Sequence, residues 1–273
     1  MENRWFIICQ ISKLVNRWVI NLKLSYFELL SPDPIQIQRV GGILSPTLRS
    51  ISKIGINTYQ YYLTILLMDL KTYFTMIQQE EQFELLSDKD KSQMDVFDLL
   101  TMDDKSAELL QNVLDFFIEE NVVWSSQNNA FLIHKEDNVI GVITKEIYPQ
   151  ICDLICQRNC IKSNQEEDLS KVKSKKALEI MKKLQKGRAE KAKATKSDKN
   201  MELGNIISAV ANKSQSLNII NIWELTVYQV CDCFSRLSNN SIYDIQSMSV
   251  AAWGNKDNYF DATAWFKRID TTN

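Results

Sequence analysis

The chain has 273 residues, of which 45% are hydrophobic and 24% are charged, and its formal net charge is −2. A chain of this length can form two modest domains, and this composition is typical of a soluble globular protein. A net charge near zero excludes a general electrostatic attraction to nucleic acid or to an anionic membrane. Only seven residues are Gly and four are Pro, which favours helices over long loops.

Residues 1–23 are predicted to form an amphipathic N-terminal helix that docks on the protein. Arg4, Lys13 and Arg17 interrupt the apolar run, so it is typical neither of a membrane-spanning helix nor of a secretory signal. An interfacial membrane helix is one alternative. Another is that Met1 is not the natural start. The apolar residues recur at helical spacing: Trp5, Ile8, Ile11, Val15, Trp18 and Leu22.

Residues 24–162 are predicted to form an α+β domain with a small antiparallel sheet and several helices. The sequence "PIQIQRVGGIL" (34–44) indicates a short strand and a turn. The next helix is expected to end at Gly55, and a longer core helix is expected over 57–78, where the middle is apolar nearly all round.

Residues 79–120 are acidic, which is typical of a solvated helical face. The pattern then changes to period two in "NVVW", "NAFLIH" and "NVIGVIT", which predicts three strands. The residues "KEDN" (135–138) predict a hairpin turn between the last two strands. Thr144 is the predicted cap of the helix that follows.

The six cysteines are expected to be reduced thiols, because no export signal precedes them. Cys152, Cys156 and Cys160 recur every four residues, which predicts one buried face of a helix. A metal centre would need further ligands, and the one histidine, His134, belongs to a different element. We therefore expect no metal and no cofactor.

Residues 163–200 are predicted to be a charged linker, helical in its first half and disordered after Gly187. Between Lys171 and Lys199 there are twelve Lys or Arg and three acidic residues. Such a segment can bind phosphates, but it lacks the aromatic side chains on which bases stack. A tether is the preferred interpretation. Pairing with 79–120 and contact with nucleic acid are the alternatives.

Residues 201–273 are predicted to form a small helical domain with an aromatic-rich core. Its best-defined helix, "NIWELTVYQVCDCFSRLS", is expected to be capped by Asn221, with Glu224 three positions on completing a capping box. "SIYDIQSMSVAAWG" predicts a separate helix, and "DATAWFKRI" predicts a last short one capped by Asp261.

The sequence shows no pattern typical of catalysis. The one Gly pair, Gly41-Gly42, lacks the context of a phosphate-binding loop, and no nucleophile-elbow serine accompanies His134. Paired carboxylates leave little trace in a sequence, so they stay an open alternative. We predict that the protein is not an enzyme and has no small-molecule substrate.

Two stretches carry a resemblance to a known set of proteins. "SYFELLSPDPIQIQRVGGILSPTLRSISKIGINTYQYYLTILLMDLKTYF" and "SLNIINIWELTVYQVCDCFSRLSNNSIYDIQSMSVAAWG" resemble tailed-phage proteins from phages of Gram-positive hosts, which are uncharacterised or assigned as tail assembly chaperones. The most specific part is similar to the helix "IWDLT-x-YQL-x-D-x-F" of that set, with Val230 in place of a leucine. The matching residues are Trp223, Leu225, Thr226, Tyr228, Gln229, Asp232 and Phe234.

The resemblance implies a phage tail morphogenesis factor that acts in the host cell cytoplasm and binds a client, a tape-measure or tail-tube protein. Self-association is also compatible with it, whereas nucleic acid is not the expected ligand. A virion structural component of the tail or baseplate, and a nucleic-acid-binding accessory protein acting through the linker, are the alternatives. The candidate partner-binding residues, each of which also suits a core position, are Trp223, Tyr228, Phe234, Trp253 and Trp265.

Overall fold

The computed structural model describes residues 22–161, 199–255 and 260–269. The predicted N-terminal helix and nearly all of the predicted linker lie outside these residues. The fold is mixed α+β with small antiparallel sheets and a helical C-terminal region, which confirms the predicted fold class.

The chain forms two compact units. Among the described residues, the first contains 22–46 and Ile54–Arg158, and the second contains Thr47–Lys53 and the described residues from Asn159 onward. A short segment from the N-terminal half of the chain is therefore part of the second unit.

The described elements follow in chain order. The helices are α1 (Tyr26–Leu30), α2 (Leu48–Ile54), α3 (Ile56–Leu66), α4 (Leu70–Met76), α5 (Glu80–Leu85), α6 (Asp88–Gln93), α7 (Val96–Leu100), α8 (Asp104–Phe117), α9 (Tyr148–Arg158), α10 (Leu203–Lys213) and α11 (Val227–Trp253). The strands are β1 (Ile35–Ile37), β2 (Gly41–Ile43), β3 (Asn121–Ser125), β4 (Ala130–Lys135) and β5 (Asn138–Ile143). Single 3-10 turns occur at Lys199–Met201, Ile222–Glu224 and Ala264–Phe266.

Both sheets belong to the first unit and are antiparallel. Strands β1 and β2 pair as a hairpin, and β3, β4 and β5 form a meander in that order. Lys135 is paired with Asn138, and Glu136 between them has a φ of 55°. This tight connection confirms the predicted hairpin turn.

The core of the first unit is built on α8. Its buried residues recur at spacings of three and four, so one face of the helix is covered. The Phe117 carbonyl at its end accepts a hydrogen bond of 2.8 Å from the Leu44 N–H, which joins α8 to the residue after β2. The buried residues of α8 are Ala107, Leu110, Val113, Leu114 and Phe117.

The predicted long helix over 57–78 is wrong, because two helices occupy this stretch. Gly55, with a φ of 87°, separates α2 from α3 as predicted. Helix α3 ends at Leu66, and Asp69 begins the next one by accepting the Thr72 N–H at 2.7 Å. A capping side chain inside an apolar run divides it into two helices.

The end of α9 also differs from the prediction. Cys152 and Cys156 are buried as expected, but the helix ends at Arg158, and Cys160 lies beyond it with a φ of 57°. The Thr144 hydroxyl donates to the Glu146 carboxylate, and the Thr144 backbone carbonyl accepts the Tyr148 N–H. Thr144 therefore begins the turn before α9 and does not cap the helix itself.

Arg158 is fully buried in the first unit and holds three chain segments together. Its Nη2 donates to the carbonyls of Ser31 (2.8 Å) and Asp33 (2.9 Å), and its Nη1 donates to the carbonyl of Ile43 (3.4 Å). Burial lowers the pKa of Arg158, and the charge of Asp33 opposes this effect. The planar guanidinium can serve several carbonyls at once, which an ammonium group cannot do in the same geometry.

Gly141 allows β5 to approach the turn between β1 and β2. A Cβ at this position would lie 2.1 Å from the Arg39 carbonyl oxygen, and the neighbouring Val142 N–H donates to that same oxygen at 3.0 Å. The hydrogen bond from Val142 to Arg39 can therefore form only because residue 141 has no side chain.

We predict that Arg158→Ala lowers the free energy of unfolding by about 3 kcal/mol or more, because buried carbonyls lose a charged donor. Arg158→Lys should recover only part of this loss. Urea unfolding of the purified protein measures both. The control is Lys145→Ala, which removes a half-exposed pair with Asp98 and should cost less than about 1 kcal/mol. Equal losses in Arg158→Ala and Lys145→Ala would contradict the role of Arg158.

We also predict that Gly141→Ala costs about 2 kcal/mol of stability, since the methyl group collides with backbone that cannot move without breaking a hydrogen bond. The matched control is Gly204→Ala in α10, where an added Cβ meets nothing within 4 Å. That change should be neutral or stabilising by up to about 1 kcal/mol. Thermal unfolding compares the two, and a Gly141→Ala variant as stable as the Gly204→Ala variant would refute the close approach.

Candidate partner-binding surface

Helix α11 begins at a capping box formed by Thr226 and Gln229, not by Asn221 and Glu224 as predicted. The Thr226 hydroxyl accepts the Gln229 N–H at 3.3 Å, and the Gln229 side-chain oxygen accepts the Thr226 N–H at 2.9 Å. The predicted cap at Asn221 is wrong: its side chain accepts the Asn218 N–H, and a 3-10 turn intervenes before the helix. Thr226 and Gln229 satisfy the N-terminal donors reciprocally.

Helix α11 is continuous over 27 residues, or about 40 Å, where two helices were predicted. The "SNNS" stretch at 238–241 does not interrupt it. Ser241 donates its hydroxyl to the Leu237 carbonyl at 2.7 Å, and Asn239 donates to the Ala264 carbonyl at 2.9 Å. Ser241 bonds back to a carbonyl one turn earlier in the helix, and Asn239 bonds to a carbonyl beside the helix, so neither side chain ends the helix.

The start of α11 also binds the 47–53 segment within the second unit. The Leu48 N–H donates to the Leu225 carbonyl at 2.9 Å, and Thr47 forms an isolated antiparallel bridge with Thr226. The Arg49 Nε donates to the Glu224 carboxylate at 2.7 Å, but both side chains are at least half exposed. Backbone pairing, more than this surface ion pair, therefore fixes α2 in the second unit.

One face of α11 packs into the core of the second unit. Only the first two turns of the helix carry buried residues, and α10 supplies the apolar face that packs against α11. Asp232 is also buried and lies 3.9 Å from the Arg236 guanidinium. The buried apolar residues of the two helices are Ile206, Ile207, Val210, Ala211, Val227, Tyr228 and Val230.

The last described segment packs against the middle of α11. The Arg236 guanidinium donates to the Lys267 carbonyl at 2.8 Å, and the rings of Tyr243 and Phe260 lie 5.5 Å apart. Asp261 accepts the Thr263 N–H at 2.9 Å, but the predicted cap at Asp261 is wrong, because the segment forms a 3-10 turn, Ala264–Phe266, whose N-cap is Thr263. The Lys267 ammonium and the Thr263 hydroxyl hold the pKa of Asp261 well below its usual value.

Beyond its first two turns, α11 exposes an apolar surface on the same side as its buried residues, which we call the α11 stripe: Ile242, Ile245, Met248 and Trp253. Their exposed fractions are 54%, 65%, 63% and 79%. The first three are spaced by three residues, and Trp253 falls three turns after Ile242, so all four lie near one side of the helix. Asp244 is the one charged residue between Leu237 and Trp253.

A second exposed apolar pair lies on the last turn. Trp265 and Phe266 are 53% and 56% exposed, and their ring centroids are 4.9 Å apart in an edge-to-face arrangement. Contiguous exposed aromatic and aliphatic side chains mark interaction surfaces more often than scattered ones do.

The five predicted partner-binding residues occupy different environments. Tyr228 is buried, at 4% exposure, and Trp223 and Phe234 are half-buried. The Trp223 indole N–H donates to the Ile219 carbonyl at 2.8 Å. Trp253 and Trp265 are exposed. The aliphatic members of the stripe are not among the predicted residues, although their spacing of three residues is visible in the sequence.

The described ranges contain no cluster of three or more His, Cys, Asp or Glu side chains with metal-site geometry. None of the helices there combines the length and the hydropathy that a bilayer crossing requires.

Residues 193–270 match the model of a phage-associated family described as YomV second domain. The matched region is less than half of the chain, and it contains α10, α11 and the last turn. No curated protein and no solved structure matches the chain significantly. The family match supports the phage part of the resemblance described above, while the tail-assembly part stays a proposal.

We predict that Thr226→Ala lowers the stability of the second unit by about 1 kcal/mol, because the Gln229 N–H loses its acceptor. Thr226→Ser keeps the hydroxyl and should retain most of the stability. Urea unfolding followed by circular dichroism measures both variants. Ser238→Ala, at an exposed position of the same helix, is the control and should change stability by less than about 0.5 kcal/mol. A Thr226→Ser variant as unstable as Thr226→Ala would argue against the cap.

Proposed function

We propose that this protein is a non-enzymatic factor of phage tail morphogenesis that binds a tape-measure-like client protein in the host cytoplasm. The observation that carries the proposal is the exposed α11 stripe, which lies inside the region that matches a phage-associated family. The resemblance of the chain to tail assembly chaperones supplies the type of client.

The shape and charge of the stripe favour an amphipathic helix as the bound element. From Ile242 to Trp253 the stripe extends over three helical turns, or about 16 Å, which matches the apolar face of a short helix. With Asp244 as the one charged residue of α11 between Leu237 and Trp253, the matching face of the client is expected to be largely uncharged as well. Complete burial of each large apolar side chain contributes about 1.5–3 kcal/mol.

The exposed pair Trp265 and Phe266 supplies a second anchor in the same unit. Tryptophan and other large aromatic side chains dominate the energetics of many interfaces because they bury a large area with few rotatable bonds. In this proposal Trp253 and Trp265 contact the client, whereas Tyr228 supports the helix from the core.

Mass spectrometry of purified phage particles beside a lysate of infected cells tests the assembly role. An assembly factor is expected to be abundant in the lysate and absent from finished particles. Presence in particles at a fixed copy number would overturn this role and favour a structural component of the tail or baseplate.

We predict that the double variant Ile245→Gln and Met248→Gln folds normally and binds the tape-measure protein of the same phage at least about tenfold more weakly. Both side chains are mostly exposed, so their replacement removes apolar contact with the client at little cost in stability. Co-purification from infected cells and titration with purified client measure the change.

The matched control is Leu85→Gln, which replaces an equally apolar side chain, 86% exposed, in the first unit. It should bind the client like the unmodified protein. Trp253→Ala and Trp265→Ala are expected to weaken binding as well. Normal client binding by folded Ile245→Gln/Met248→Gln protein would exclude the stripe as the binding surface.

A further inference from the structure

Two cysteines that are far apart in the sequence meet in the second unit. Cys160 follows α9 by two residues, and its left-handed conformation, with a φ of 57°, turns the chain. Cys231 lies in the second turn of α11. The Cys160 thiol is within hydrogen-bonding reach of the Cys231 sulfur, and both cysteines are free.

The contact makes the two thiols chemically unequal. The hydrogen bond that Cys160 donates stabilises the thiolate of Cys231 and lowers the pKa of Cys231. The same bond, together with burial, raises the pKa of Cys160. A thiolate is the nucleophile in thiol–disulfide exchange, so Cys231 is the attacking group and Cys160 the resolving one.

The other described cysteines do not combine a lowered thiol pKa with partial exposure. Cys152 and Cys156 are buried in α9, where burial raises the pKa of both, that of Cys156 to about 12. Cys233 is half-buried like Cys160 and Cys231, but burial and the charge of Asp232 raise its pKa. Partial exposure lets a small oxidant reach Cys231, which a fully covered thiol does not allow.

We propose that Cys160 and Cys231 form a reversible intramolecular disulfide by exchange with low-molecular-weight disulfides of the RSSR type. The site is independent of the proposed client-binding function and uses none of the stripe residues.

The exchange takes place in two balanced steps. The Cys231 thiolate attacks one sulfur of RSSR, and RS⁻ leaves and takes up the proton that Cys231 has lost. The Cys160 thiol then loses its proton and attacks the Cys231 sulfur of the mixed disulfide, expelling a second RS⁻ that takes up this proton. The two cysteines lose two electrons, and RSSR is reduced to two RSH.

The bond would change the connectivity of the second unit. It would close a covalent loop that contains the whole Lys-rich segment from Lys171 to Lys199 and would fix the beginning of that loop to α11. Closing a long loop restricts the unfolded chain more than the folded one, so the oxidised form should be the more stable.

The test treats the reduced full-length protein, at low concentration, with oxidised glutathione and maps disulfide-linked peptides by mass spectrometry. The expected result is a Cys160–Cys231 peptide, a fall in reactive thiols from six to four under denaturing conditions, and a thermal midpoint higher by about 5 °C or more. Dithiothreitol should reverse all three changes.

Single variants separate the roles of the two thiols. Cys160→Ser should retain a glutathione adduct on Cys231, because the resolving thiol is gone, whereas Cys231→Ser should accumulate little adduct on Cys160. Cys233→Ser, on the same helix, is the control and should still form the bond. The proposal fails if the unmodified protein gives no Cys160–Cys231 peptide, or if the linkage joins Cys231 to Cys233 or two separate chains.

Discussion

The first unit depends on a single buried cation. Arg158 is the last residue of α9, and its guanidinium is shared among carbonyls before β1 and at the end of β2. A buried charge is costly unless its donors are paired, and here backbone carbonyls, not a carboxylate, pair with Nη1 and Nη2, while the buried Nε has no partner among the described residues. These hydrogen bonds therefore form only when three segments are in place at the same time: α9, the segment after α1 and the β1–β2 hairpin. The close approach at Gly141 is a second contact that requires the same hairpin to be in place.

In the second unit, the sequence motif that resembles phage proteins has a structural role, whereas the exposed apolar residues lie outside it. Thr226 and Gln229, which carry much of the resemblance to phage proteins, form the cap of α11, and Tyr228 lies in the core. These residues explain why the helix starts where it does, so the motif describes a fold more than a binding site. The exposed apolar side chains lie further along the same helix. A rigid helix of this length can present them at a fixed distance from the core, which suits a surface that binds a partner.

Much of the fold was predictable from the sequence because it follows from local periodicity. The three strands of the meander, the hairpin at 135–138 and the break at Gly55 all depend on neighbouring residues. The errors arose where a local cap is hidden inside an apolar run or where distant residues decide. The apolar run over 57–78 concealed the cap at Asp69, and the polar stretch at 238–241 suggested a break that the contact between Asn239 and Ala264 prevents. The burial of Arg158 and the exposure of Ile245 and Met248 are tertiary properties, which spacing alone does not specify.

The place of α2 in the second unit has a consequence for protein synthesis. Arg49 leaves the ribosome 175 residues before Glu224, its partner in the folded unit. At ordinary rates of translation this interval is roughly 10–35 s, far longer than a helix or a small domain needs to form. The first unit thus has time to fold around a segment, 47–53, whose own partners do not yet exist. The nascent chain has to keep this segment available until the residues at the start of α11 have been synthesised.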